Sequence, residues 1–239
     1  MGIEERKNRE KVERRSLILR EAKKLVLERG VTSLTMQDIA QATELSKATL
    51  YLYFQSKEAI LIEIMDEATT AFVEFARIRV REASSGLEAL HALWASYLTL
   101  FGESQDLIVL TGIKNYISPG FPLIADEMNG ATHESSMRMV GLIADVLHRG
   151  MSDGTLIEGL EPEKLARTVI MIATSIIDTV AKVPRPARDT SLIRTEMRRT
   201  FEILLRGLAA EGSDPRLLVL SPKSILDSRI SAADDRNKP

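Results

Sequence analysis

The chain has 239 residues, no cysteine, and 32 Lys plus Arg against 34 Asp plus Glu, for a net charge of −2. That length supports a sizeable buried core in one large or two modest domains, and the balanced charge gives no whole-chain sign of a nucleic-acid partner. The lack of cysteine excludes disulfides, thiolate metal sites and cysteine nucleophiles. The longest stretch free of Asp, Glu, Lys and Arg is 89–102, 14 residues, short of the roughly 18 that a membrane span needs. With no apolar leader at its start, the sequence is expected to be soluble and cytoplasmic.

The average charge hides an asymmetry. Residues 1–24 carry +4 and residues 1–60 carry +3, so the remainder carries −5. A basic end on an acidic body suggests two tasks in one chain, although a solvated helix face would give the same run.

Glycine and proline punctuate apolar patterns of helical period, with no sustained alternation of period two. The fold class is therefore all-α. The first helix is expected over about 9–29, closed by Gly30. A short helix follows Thr35, where Thr35-x-x-Asp38 reads as a capping box. Ser46 caps another short helix over 47–54. Ser56 caps a long one over about 57–83, with Ile60, Leu61, Ile64, Ala68, Phe72, Phe75 and Ile78 as its inward stripe. Further helices are expected over 87–102, 104–117, 123–151, 162–182 and 189–210. Breaks fall at Pro119–Pro122, Asp153–Leu156 and Val183–Pro186. The tail 213–239 reads as a partly disordered extension, with a strand-like segment or short helix near 217–220 and 225–230.

The informative stretch is Thr35–Phe54, TMQDIAQATELSKATLYLYF. Two short helices joined by a brief turn, with small Ala40 at the crossing, read as a helix–turn–helix. Leu50 and Phe54 face inward. Ser46, Lys47, Ala48, Thr49, Tyr51 and Tyr53 face out. Small residues at 46, 48 and 49 suit close approach to base edges in a major groove, and hydroxyls with Lys47 supply hydrogen bonds. By spacing alone, an ordinary pair of core helices fits equally well.

Residues 15–61 resemble the DNA-binding domain of the tetracycline-repressor (TetR) family. The resemblance lies in Ile18-Leu19 with Ala22, in Gly30, in Thr35–Ala40, in Ser46–Tyr51, and in Tyr53–Glu58. It implies a three-helix DNA-binding head over 1–58 (with a basic extension over 1–14) and a helical ligand-binding and dimerisation domain over 59–212. It also implies phosphate contacts from Thr35, Tyr51, Tyr53 and Lys57, and base or groove contacts from Gln37, Lys47, Ala48 and Thr49, with Ser46 at the helix start. Two positions depart from the family pattern. Glu44 stands where a turn glycine is usual, which requires a non-glycine residue at positive φ or an altered turn. Tyr53 stands where histidine is usual.

The helices 163–182 and 189–210 are apolar enough to be expected as a homodimer interface. Two recognition helices on a palindromic double-stranded operator must sit about 34 Å apart. For a small-molecule effector, the candidate contacts are Trp94, Tyr97 and Phe101, then Asn115, Tyr116 and Phe121, then His133 and Met137, then Met171, Ser175 and Asp178. Together they suit an apolar or aromatic ligand held by a few polar groups. No cofactor, metal or catalytic residue is expected. Glu88-x-x-His91 and Asp145-x-x-His148 have a spacing found in di-iron bundles, but the further facing carboxylates that chemistry needs do not stand out. The function implied is a ligand-responsive DNA-binding regulator, a repressor by resemblance. The alternative is a helical binding protein without specific DNA readout.

Overall fold

The computed structural model describes residues 3–117 and 131–220. Among these the fold is ten α-helices with short 3-10 turns and no strand: α1 (Ile3–Arg29), α2 (Met36–Ala42), α3 (Lys47–Tyr51), α4 (Lys57–Glu82), α5 (Gly86–Glu103), α6 (Gln105–Thr111), α7 (Lys114–Ile117), α8 (Ala131–Ser152), α9 (Pro162–Lys182) and α10 (Thr190–Leu208). An isolated antiparallel bridge joins Leu156 to Ala209.

Each boundary has a local cause. Thr35, Ser46, Ser56 and Ser85 accept hydrogen bonds from the amide three residues on, at the starts of α2, α3, α4 and α5, replacing intrahelical partners those amides lack. Pro162 opens α9 at the position where a missing N–H costs nothing. α1 begins earlier than the apolar pattern indicates, at Ile3. Its first turns are exposed, and Arg6–Glu10 (3.3 Å) and Arg9–Glu13 (3.7 Å) pair along them.

Three other expectations need correction. The helix expected over 104–117 is two helices, split at Gly112–Ile113, because the chain there passes directly against α9. A Cβ on Gly112 would lie 2.8 Å from the Ile177 carbonyl. The helix expected over 47–54 ends at Tyr51, with Leu52–Gln55 in a turn. Ile78 leaves the α4 stripe and is exposed. In the tail, Pro215–Leu218 is a 3-10 turn. The expected segment at 225–230 and the break at Pro119–Pro122 lie outside the described residues.

α4 is the central rod, packed on α5, α6 and α8, while α9 packs on α8 and α10 on α5. The body's apolar core gathers α4, α5, α8, α9 and α10 around Phe72, Trp94, Tyr97 and Phe201. A second core holds the head: Ile18, Ala22 and Val26 of α1, Ile39 and Ala40 of α2, Leu50 of α3, and Ile60, Leu61 and Ile64 of α4. This second core does not stop at the head. Val109 and Leu110 of α6, Ile113, and Val180 and Ala181 of α9 belong to it.

Candidate DNA-reading head and its joint to the body

The helix–turn–helix is fixed from beneath and presented from above. Ile39, Ala40, Leu50 and Phe54 are buried, so α2 and α3 cross over a continuous apolar floor. In the turn, Glu44 takes φ 55°. A side chain therefore occupies the left-handed region that glycine would adopt freely. The turn keeps its geometry: Leu45 N donates to Ala40 O at 3.0 Å and Thr43 Oγ1 to Ile39 O at 2.7 Å.

The outer face carries the residues singled out from the sequence. Thr35, Gln37, Ser46, Lys47, Ala48 and Tyr51 are exposed, and Thr49, Tyr53 and Lys57 are half-buried. The capping box is closed in both directions, with Thr35 N donating to Asp38 Oδ2 at 3.0 Å and Asp38 N to Thr35 Oγ1 at 3.2 Å. The Thr35 hydroxyl also donates to Asp38, and this holds the carboxyl below its usual range. A phosphate contact from Thr35 has to compete with that bond. On α3, Ser46 Oγ accepts from Thr49 N at 3.0 Å and lies 2.9 Å from Thr49 Oγ1. The Lys57 ammonium donates to Leu34 O at 3.1 Å and lies 5.4 Å from the centre of the Tyr116 ring. With three donors on an ammonium, two remain for another acceptor.

The head is welded to the body at four places. Arg15 pairs with Glu63 and Lys23 with Glu67, tying α1 to α4. Lys57 reaches Tyr116 of α7. Arg188, in the turn between α9 and α10, donates to Val183 O at 2.7 Å and to Leu27 O of α1 at 3.3 Å. Gly30 (φ 83°) lies against the carbonyl of Lys182 at the end of α9. None of these long-range contacts leaves a local signature in the sequence. Gly30 alone was legible, as a helix stop and not as a contact.

In the body the structure brings some candidate ligand residues together and separates others. Trp94 and Tyr97 are buried in one aromatic cluster. Trp94 stacks on Phe201 at 4.5 Å, and Tyr97 lies 4.0 Å from Phe72 and 5.7 Å from Phe201. Burial raises the Tyr97 hydroxyl pKa well above its ordinary value. Trp94 Nε1 and His91 Nδ1 are buried without a hydrogen-bond partner among the described residues. Phe101 lines a separate cleft of about 430 Å³ beside Arg194 of α10. Tyr116 belongs to the joint rather than to this cluster. Met137 and Met171 are half-buried on α8 and α9. Ser175 is exposed and donates to Met171 O at 2.6 Å. Asp178 pairs with Lys182 at 2.6 Å. Phe121 and the side chains of Asn115 and His133 lie outside the described residues.

The carboxylate–histidine pairs are engaged elsewhere. Glu88 accepts from Ser84 N at 2.8 Å, and His91 Nε2 meets Val219 O at 3.2 Å. His148 meets Glu163 at 3.1 Å. Among the described residues, no three His, Asp or Glu side chains converge on a metal position.

The model of bacterial regulatory proteins of the tetR family matches residues 18–64, the segment that forms the head and the first turns of α4. The head belongs to the tetR family. The fatty acid metabolism regulator protein of Bacillus subtilis (strain 168) is 25% identical over 153 residues, 64% of this chain and 75% of that protein. The HTH-type transcriptional regulator TcmR of Streptomyces glaucescens is 30% identical over 152 residues, 62% of this chain and 57% of that protein. The fold extends the likeness beyond the tetR head. The solved structure of the transcriptional regulator FadR from Bacillus subtilis, in complex with stearoyl-CoA, superposes with a TM-score of 0.58. It is 22% identical and covers 80% of this chain and 98% of that one. Among the described residues, no helix is long and apolar enough to cross a membrane.

Proposed function

We propose that this tetR-family chain is a homodimeric transcriptional repressor in the cytoplasm, and that a small molecule with a long apolar part releases it from a palindromic operator. The observation that carries the DNA assignment is the outward face of α2 and α3. Ser46, Lys47, Ala48 and Tyr51 stand exposed on a head whose other side is buried. In this assignment residues 1–58 form the reading head and 59–212 the sensing and pairing body. Gln37, Lys47, Ala48 and Thr49 face base edges, and Thr35, Tyr51, Tyr53 and Lys57 face phosphates. The protein acts by binding and has no catalytic role, in line with its relatives, which are transcriptional regulators.

Pairing is assigned to α9 and α10. Met171 and Ile172 of α9 are only half-buried in the single chain, and Leu192 and Ile203 of α10 are exposed. Leu192 and Ile203 are eleven residues apart, so they share one face of the helix. A second copy packed there covers that face and sets the spacing of the two heads.

The effector is assigned to the body. Trp94 Nε1 is a buried donor with no partner among the described residues, and an acceptor on a ligand would satisfy it. A relative named for fatty acid metabolism and a structural neighbour holding stearoyl-CoA favour an acyl thioester. Because α4 runs from the head into this core, displacement of α4 by the ligand changes the head spacing. A coupling of about 1–3 kcal/mol changes operator affinity roughly 5–150-fold.

Fluorescence anisotropy with DNA flanking the gene tests this. Two protomers should bind one site, and stearoyl-CoA should release them where coenzyme A does not. Affinity no better than for random DNA would overturn the repressor assignment, and specific binding indifferent to stearoyl-CoA would overturn the effector alone.

A further inference from the structure

A cavity of about 490 Å³ lies between the end of α4 and the middle and end of α8. Four guanidinium groups line it: Arg77 and Arg81 from α4, Arg138 and Arg149 from α8. Asp145 is the one carboxylate among the described lining residues, and Val80 and Val146 give it an apolar side.

Two of the four arginines are held in place. Arg149 donates to Ala83 O at 2.5 Å and to Val80 O at 3.5 Å, at the end of α4. Arg138 donates to Thr70 Oγ1 and to Glu134, each at 2.9 Å, and lies 3.8 Å from Asp66. Its Nε is buried with no partner among the described residues. The other two stand four apart on α4, on one helix face. Arg77 lies 3.3 Å from Glu74, and Arg81 makes no ion pair among the described residues. Like charges at this spacing repel each other unless an anion lies between them.

The groove is far from the operator. Arg77 is twenty residues along α4 from Lys57, about 30 Å at the helical rise. DNA docked on α3 does not reach it.

We propose that the α4–α8 groove binds the phosphates of a small, multiply phosphorylated molecule. Planar guanidinium forks grip phosphate oxygens two at a time, which makes clustered arginine suited to di- and triphosphates. The volume lies within the usual range for small-molecule sites. Half-buried Val80 gives a base or chain attached to the phosphates an apolar surface to lie on. A phosphate gripped from both helices ties α4 to α8, so its occupancy acts on the same rod that carries the head. None of the four rings of the aromatic cluster lines the site, which does not depend on the acyl assignment.

The test is isothermal titration of the full chain at 150 mM chloride with three probes: inorganic pyrophosphate, ATP and coenzyme A. At least one should bind with Kd below 1 mM. The double variant R77Q/R81Q should weaken it tenfold or more. R79Q is the control, since Arg79 lies over the Phe75 ring at 3.7 Å and does not line the groove; it should bind as the parent does. Binding of ATP or coenzyme A without pyrophosphate identifies a nucleotide-type ligand, and binding of all three identifies the phosphates alone. Kd above 1 mM for every probe, or equal binding by R77Q/R81Q and the parent, overturns the proposal.

Discussion

Gly30 and Lys182 touch across the joint between head and body: a Cβ on Gly30 would lie 2.7 Å from the Lys182 carbonyl oxygen. The end of α1 and the end of α9 are therefore in backbone contact, and motion of α9 is felt directly by the first helix of the head. This contact lies beside the Arg188 bonds to Val183 and Leu27, so the joint is both close-packed and hydrogen-bonded.

Gly30→Ala should destabilise the protein on two counts. Gly30 has φ 83° and ψ 153°, a region essentially only glycine occupies, which costs a side chain about 1–3 kcal/mol. Crowding against the Lys182 carbonyl adds about 1–3 kcal/mol. Gly212→Ala is the comparison, because Gly212 has φ 80° but open space around it. Urea denaturation should show the larger loss for Gly30→Ala. Equal losses would mean that the close approach costs nothing.

Glu44→Gly should stabilise the fold. Glu44 sits at φ 55° and is exposed, so its replacement relieves backbone strain and disturbs no core. The gain is on the order of 1 kcal/mol, seen as a rise in Tm of about 2–4 °C for a chain of this size. Thermal unfolding without DNA is the measurement, and an unchanged or lower Tm would show that the turn carries no strain.

Tyr51→Ala should weaken DNA binding without weakening the fold. Tyr51 is 50% exposed, and substitutions at such positions usually stay within about 0.5 kcal/mol in stability. Loss of a phosphate contact should cost about 1.4 kcal/mol, or tenfold in Kd. Tyr51→Phe separates the hydroxyl from the ring. Operator affinity equal to the parent in both variants would remove Tyr51 from the interface.

Stability should fall as pH drops below about 6.5, the ordinary histidine value, in part through His91. Burial lowers the His91 pKa, partly opposed by the Val219 carbonyl and Glu88. The unfolded chain therefore binds a proton at a higher pH than the folded chain does. The stabilisation is fully present above the unfolded value and is lost as pH falls toward the folded one. Urea midpoints between pH 7 and pH 5 should show the slope, and His91→Gln should flatten it. An equal slope in the variant would assign the effect to other groups.

Ile203→Glu should disrupt the proposed homodimer. Ile203 is 67% exposed on α10, so a charge is harmless in the single chain but is buried in the paired one, where an unpaired charge is costly. Light scattering after size exclusion should show a shift from dimer to monomer. A variant that remains dimeric would place the interface elsewhere.

What the sequence determined by itself was local. Thr35, Ser46 and Ser56 mark helix starts because a side-chain oxygen three residues before an unpartnered amide acts within one turn. Leu50 and Phe54 point to the core because helical period alone sets which side they occupy. The family match followed, since the matching residues all lie in one continuous segment. The tertiary structure alone decided what joins that segment to the rest. Gly30 meets Lys182, Lys57 meets Tyr116, and arginines of α4 and α8 line one groove, though the partners in each case come from distant parts of the chain. Such meetings depend on how helices pack, and packing is fixed by the whole set of apolar faces rather than by any one stretch of residues.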